Sequence, residues 1–206
     1  ATISGGSYNQ NYNTYHSTIS GGRGNNTNSN YATISGGYVN SVGGGPFGTI
    51  SGGYLNVNSG SYGTISGGYR NINSGNYSTI SGGYQNQILA GNSSISGGYH
   101  NLNNGINSSI VGGFYNCITC SGYGFIGNGS GNQIQGCGYN TNGNQDSFIG
   151  NGDSNCSWIK SSSIVNGHLN LIGQTCSAAY TAFYPNTYTV LSANQFAGSI
   201  TLQGDV

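Results

Sequence analysis

The chain has 206 residues, among them 40 glycines and 17 tyrosines, and only 3% are charged, with Arg23, Arg70 and Lys160 balancing Asp146, Asp153 and Asp205. Such a composition supplies no basic field to hold nucleic acid by counterion release and no polybasic cluster to hold an anionic membrane. No apolar run approaches the roughly 20 residues of a membrane span, so no direct membrane insertion is expected. Low charge with so much glycine would suit a disordered segment, but disorder requires no register and this chain keeps one. Ala1 stands inside a repeat and there is no methionine, so the sequence reads as a fragment or a processed product.

In chain order, Ile3, Ile19, Ile34, Ile50, Ile65, Ile80, Ile95, Ile110 and Ile126 recur every 15 or 16 residues, and the series resumes at Ile149 and Ile164. Three residues after each isoleucine stands a glycine, from Gly6 through Gly37, Gly68 and Gly83 to Gly167. Six residues after each stands an asparagine, from Asn9 through Asn40, Asn71 and Asn86 to Asn170. This period is short enough to be one turn of a solenoid. The residues around each isoleucine read as a short strand, as in the stretch from Tyr77 to Ser81. The small residue two before it (Ser17, Ala32, Gly48, Gly63, Ser78) shares the isoleucine's face by alternation. Tyr31, Phe47, Tyr62 and Tyr77, three before, fall on the opposite face.

The residue two after the isoleucine is glycine in the first eight copies and then Asn128, Asn151 and Asn166. Gly and Asn share tolerance of positive φ, which predicts a left-handed corner at this position and local unfolding on Gly67→Val. A second break at Gly60, Gly75, Gly91 and Gly105 gives two short strands per turn. The expected fold is an all-β, flattened parallel roll, eleven turns stacked at ~4.8 Å into a rod on the order of 50 Å long. Stacked asparagine amides would bond along its axis and satisfy corner backbone groups. The core, one isoleucine per turn with an occasional second apolar group such as Val57, Ile72, Ile88, Leu102 or Ile118, is thin against the cost of ordering each turn. That imbalance predicts association through a second face.

From residue 114 the pattern loosens. The interval from Ile126 to Ile149 is 23 residues, and the surplus, near 136–146, reads as a protruding loop or tolerated insertion. The repeat domain therefore runs from 1 to 173, and 174–206 reads as a β cap or a junction to a following domain. The five cysteines, Cys117, Cys120, Cys137, Cys156 and Cys176, make a poor disulfide framework. Cys117 and Cys120 have zinc-like spacing without a second pair, and His168 is isolated, so no metal site is expected. Asp146 and Asp153 are the only nearby carboxylates for hydrolysis and read as turn residues. His16, His100 and His168 have no nucleophile arrangement around them. No catalytic or cofactor-binding residue is assigned, and the chain reads as a non-enzyme. Asn-x-Ser/Thr triplets begin at Asn25, Asn76, Asn92, Asn107, Asn128 and Asn155 and matter only in a glycosylating host.

Two surface arrays remain. Tyr38, Tyr54, Tyr69, Tyr84 and Tyr99 follow the Gly-Gly corner in successive turns, a candidate receptor-binding ladder whose rings would either take the apolar side of a sugar or stack on one another and lie in an oligomer interface. Thr33/Ser35, Thr49/Ser51, Thr64/Ser66 and Thr79/Ser81 form a flat hydroxyl array like that of ice-binding β-solenoids, although Ser holds the second position.

The segment 77 to 86, Tyr-Ser-Thr-Ile-Ser-Gly-Gly-Tyr-Gln-Asn, resembles the head repeats of trimeric autotransporter adhesins. It is closer to the Ser-Thr-Ile-x-Gly-Gly variants in fibre proteins of bacteriophages and large DNA viruses. The resemblance covers about 1 to 173. It implies a left-handed parallel β-roll assembled as a homotrimer on an extracellular or virion surface, used as a fibre or adhesin head that attaches to a host glycan or protein receptor. The chain lacks the adhesins' usual Ala-Ile-Gly strand, coiled-coil stalk and membrane anchor, which favours a virion or tail fibre. A purely structural fibre or virion decoration is the alternative, and an ice-binding solenoid a further one.

Overall fold

The computed structural model describes residues 1–12, 14–135, 146–158, 162–172, 181–182 and 189–190. Every turn supplies two short strands, and like strands stack into two parallel 12-stranded sheets. One sheet is built from the isoleucine strands, such as Thr49–Ile50, Thr64–Ile65 and Thr79–Ile80; the other from Val57–Asn58, Ile72–Asn73, Gln87–Ile88 and their equivalents. The register is flush, with Ile50 opposite Ile65, Ile65 opposite Ile80 and Ile80 opposite Ile95. A third contact per turn is the single-residue bridge at the position four after the isoleucine, running from Ser7 through Tyr38, Tyr54 and Tyr69 to His168. The protein is thus a parallel β-solenoid with turns about 15 residues apart, as the repeat predicts.

From Ile19 to Ile164 the isoleucines, including Ile34, Ile65 and Ile80, have no exposed surface and form one continuous column, while Ile3 on the first rung is 43% exposed. The small residues two before them are buried too, because anything longer would fill the space this column occupies. Alternation continues past Asn71 in the second strand, so Ile72 points outward and Asn73 inward. This corrects the expected core. Ile88 and Ile118, eight after the isoleucine, are fully buried with Val42, Ile134 and Ile172, whereas Ile72 is 37% exposed and Val57 and Leu102, seven after, are half-buried on the outside. Asn58, Asn73 and Asn103 share the inward column and bond backbone there; Asn73 Nδ2 donates to the Ser78 carbonyl at 2.8 Å, and its Oδ1 accepts from Gly75 N–H. The core is therefore two columns wide, wider than one isoleucine per turn, and the second column is half polar.

The corner also differs from expectation. Positive φ falls on the second glycine of each pair, 92° at Gly37, 87° at Gly68 and 91° at Gly83. Of the first glycines only Gly67 and Gly82 keep the expected positive φ, at 157° and 158° and so near extended, and Asn128, Asn151 and Asn166 are not left-handed. Gly68 is required twice over: its φ disfavours a side chain, and a Cβ would overlap the Gly83 carbonyl oxygen and lie 2.6 Å from Asn71 Nδ2. A Cβ on Gly67 would meet nothing within 4 Å. Close approach of successive rungs, not turn type alone, fixes the glycine.

Two further columns hold positive φ mostly on residues other than glycine. Val39, Leu55, Arg70, Gln85 and His100 form one. The aromatics assigned to the strand, Tyr31, Phe47, Tyr62 and Tyr77, form the other at φ 54–62°, and so stand at a corner outside the two-residue strand. Bulky residues there cost about 1–2 kcal/mol each. In return, each N–H bonds the preceding rung, as Tyr62 N–H does to the Pro46 carbonyl at 2.9 Å.

Beyond Ile126 the ladder crosses the 23-residue interval unbroken, Ile126 pairing directly with Ile149. Asp146 is exposed; the rest of the expected loop lies outside the described residues. Thr181–Ala182 and Thr189–Val190 extend both sheets by pairing with Ser163–Ile164 and Leu171–Ile172. The remainder of the expected cap, with Cys137 and Cys176, lies outside the described residues.

Candidate functional site

The asparagine column is interior machinery. Asn71 is fully buried; its Nδ2 donates to the carbonyls of Gly67 at 2.9 Å and Gly83 at 3.0 Å, and its Oδ1 accepts from Asn86 N–H at 2.9 Å. Asn40 and Asn86 bond in the same way. Both amide hydrogens and the carbonyl are used within the protein, so this column has nothing to offer a ligand.

What the molecule can present lies outside the two sheets. Alternation places Thr33, Thr49, Thr64 and Thr79 outward from the first sheet in flush register, continued by Ser94 and Ser109. Ser35, Ser51, Ser66 and Ser81 are exposed beside them. At Phe125 and Phe148 the hydroxyls give way to two rings stacked at 5.3 Å and 3°.

The predicted tyrosine ladder exists. Tyr38, Tyr54, Tyr69, Tyr84 and Tyr99 bridge rung to rung, with centroids 4.7–5.1 Å apart. Within the ladder the rings are tilted against one another from Tyr38 to Tyr69 and stacked from Tyr69 to Tyr99. At its far end Tyr99 and Tyr115 meet edge to face at 5.5 Å, with His100 stacked on Tyr115 at 5.2 Å. The Tyr99 phenol is raised above its ordinary value, first by its hydrogen bond to Tyr115, then by burial. Arg23 and Arg70 lay their guanidinium groups against neighbouring tyrosine rings, Arg70 5.2 Å from that of Tyr69.

A second aromatic column was not recognised as a ladder in the sequence. His16, Tyr31, Phe47, Tyr62 and Tyr77 stack at 4.7–5.2 Å with interplanar angles of 6–15°. Their common place three before the isoleucine was the available signal. On the outer face of the second sheet, Leu55, Val57, Arg70, Ile72, Gln87 and His100 line a shallow groove of about 500 Å³.

Asp153 and His168, read as unconnected, are brought together: His168 Nδ1 lies 2.8 Å from Asp153 Oδ2. Both stand four after their isoleucines, which the spacing could have shown. Ser130, Asp153 and His168 occupy consecutive rungs in that order. A nucleophilic triad needs histidine between serine and carboxylate; here the carboxylate is in the middle and Ser130 is two rungs, ~9.6 Å, from the imidazole. Cys117 and Cys156 are free, and burial pushes both thiols up, at Cys156 against a lowering contribution from its bond to Trp158. Among the described residues no group of three or more His, Cys, Asp or Glu could hold a metal.

No protein-family model matches the chain. No curated protein matches it either.

Proposed function

We propose that this β-solenoid, a fold that fits a structural repeat protein, is a non-enzymatic, homotrimeric fibre or adhesin head that attaches its bearer, a virion or a cell, to a surface, with a host glycan or protein as receptor. The supporting observation is the division of labour in each turn. Isoleucine, glycine and asparagine are consumed by contacts between rungs, while the outward positions vary and make a nearly uncharged surface rich in hydroxyls and aromatic rings. Val39, Leu55, Val57 and Ile72 form an apolar patch that the chain's own core leaves outside, bordered by Arg70, Gln85 and Gln87, and this patch is the surface on which three copies would meet. Left-handed winding and the number three belong to the resemblance of the repeat.

Light scattering on the folded protein, with and without reductant, tests the assembly: a reductant-independent trimer is expected, and a stable monomer would overturn it. Binding to intact cells and to immobilised glycans separates attachment from a purely structural fibre, which would bind neither. The flush Thr and Ser rows favour a second reading, ice binding. Thermal hysteresis in a folded sample would support it, and its absence would remove it.

A further inference from the structure

The stacked column three before the isoleucine is interrupted. Rings fill it from His16 to Tyr77, asparagine takes the next two rungs at Asn92 and Asn107, and Tyr123 follows. The backbone does not change across the break, with φ 55° at Tyr77, 54° at Asn92, 53° at Asn107 and 59° at Tyr123. The same rung-to-rung bonds continue: Asn92 N–H to the Asn76 carbonyl, Asn107 N–H to that of Gly91, Tyr123 N–H to that of Ile106. The side chains therefore leave the rod along one line, and two ring places in that line are empty of rings. Three rung steps at ~4.8 Å separate Tyr77 from Tyr123, roughly 14 Å.

Tyr77 has one face on Tyr62 and no ring on the other. It is 62% exposed, against 47% for Tyr62 and 41% for Phe47 inside the stack. Tyr123 has no ring partner among the described residues. Between them the amides of Asn92 and Asn107 are exposed and make no side-chain hydrogen bond to another described residue, unlike Asn76, whose Oδ1 accepts from Ser61 N–H. Ile106, 57% exposed, adds an apolar ledge beside Asn107. No charged group stands in this stretch of the column.

We infer that the break is a saccharide subsite for a neutral pyranose, seated with its apolar face on Tyr77 or Tyr123 and its hydroxyls bonded by the Asn92 and Asn107 amides. An aromatic face takes the C–H side of a sugar, and an amide both donates to and accepts from hydroxyls. Inside the column from Tyr31 to Tyr62 each ring is stacked on both sides, whereas at the gap Tyr77 has one ring neighbour and Tyr123 none among the described residues, beside amides with no side-chain hydrogen bond to another described residue. The subsite deepens the attachment reading and rests on it for its purpose, though not for its chemistry.

The test is a titration of bacterially produced protein, in which the Asn92 and Asn107 sequons stay bare, with cellobiose, lactose and N,N′-diacetylchitobiose, followed by NMR. Saturable shifts are expected at the side-chain amides of Asn92 and Asn107 and the rings of Tyr77 and Tyr123, with the interior amide of Asn71 unmoved. The double variant Asn92→Tyr with Asn107→Tyr, which fills both ring places, and the double variant Tyr77→Asn with Tyr123→Asn, which keeps residues tolerant of positive φ but removes both platforms, should each weaken binding about tenfold or more. No shift at the gap with any of the three sugars, or shifts unchanged in both folded variants, would overturn the subsite. Saccharide binding without cell attachment keeps the subsite and removes the attachment reading; cell attachment without shifts at the gap does the reverse.

Discussion

The rungs anchored by Ile34 to Ile95 and those anchored by Ile126 to Ile164 share an interior and almost nothing else. In the first group Thr and Ser cover one face and tyrosines bridge the rungs; in the second, Phe125 and Phe148 replace hydroxyls, and Ser130, Asp153 and His168 replace tyrosines. The buried asparagine carries the same bonds in both: Asn71 donates to Gly67 and Gly83, Asn155 to Asn151 and Gly167. Glycine φ at the corner widens from 87° at Gly68 to 114° at Gly152 and 137° at Gly167 without interrupting the ladder. The difference teaches that contacts between rungs define the fold and leave the outward positions free to change chemistry.

The comparison breaks first at the corner glycine if it is wrong. Gly68→Val and Gly152→Val should each cost more than about 4 kcal/mol, because both place a Cβ on the next rung's carbonyl in a backbone that valine avoids. Gly67→Val should cost less, because its φ of 157° strains valine but its Cβ meets nothing within 4 Å. Thermal melting checks all three, and equal damage at Gly67 and Gly68 would contradict the corner assignment.

Next in size are Asn71→Ala and Asn155→Ala. Each strands one carbonyl (Gly67 or Asn151) and one N–H (Asn86 or Asn170) and removes the second of two bonds to the next rung's glycine carbonyl, which keeps its backbone donor, for an expected loss of roughly 2–4 kcal/mol in denaturant unfolding. A large effect at Asn71 with none at Asn155 would show that the two groups of rungs are held differently.

Outer positions should respond weakly. Tyr62→Ala loses stacking and about 1 kcal/mol, whereas Tyr62→Asn should be nearer neutral, because asparagine tolerates the φ of 54°. A smaller dependence comes from pH. The raised thiols of Cys117 and Cys156 and the raised phenol of Tyr99 favour the protonated forms in the folded state. Their contribution is complete below the ordinary thiol and phenol values and is lost as pH rises through the folded ones, so melting temperature should be level to about pH 8 and fall above it. Cys117→Ala should flatten the thiol part of that fall.

The isoleucine, glycine and asparagine columns were legible because each has its own physical requirement that no other residue meets. The corner was misread for the same reason it looked readable. Gly and Asn at the position two after isoleucine suggested positive φ, whereas the glycine three after it, present in every copy, marked the close approach of two backbones. Outward Ile72 and inward Asn73 follow from alternation but oppose the usual burial of apolar over amide side chains, so composition pointed the wrong way. Aromatics in left-handed corners could not be anticipated from propensity, because what offsets their strain is the stack of like residues from neighbouring turns. The Asp153–His168 pair and the break at Asn92 and Asn107 were readable only once the columns had been aligned.

Amide hydrogen exchange tests the shared interior most directly. The N–H groups of Asn71, Asn86, Asn101, Asn116, Asn132 and Asn155 each bond the asparagine Oδ1 of the rung before. A common ladder predicts that they are among the slowest in the protein and exchange at similar rates on both sides of residue 114. Slow exchange up to Asn116 with fast exchange at Asn132 and Asn155 would contradict it.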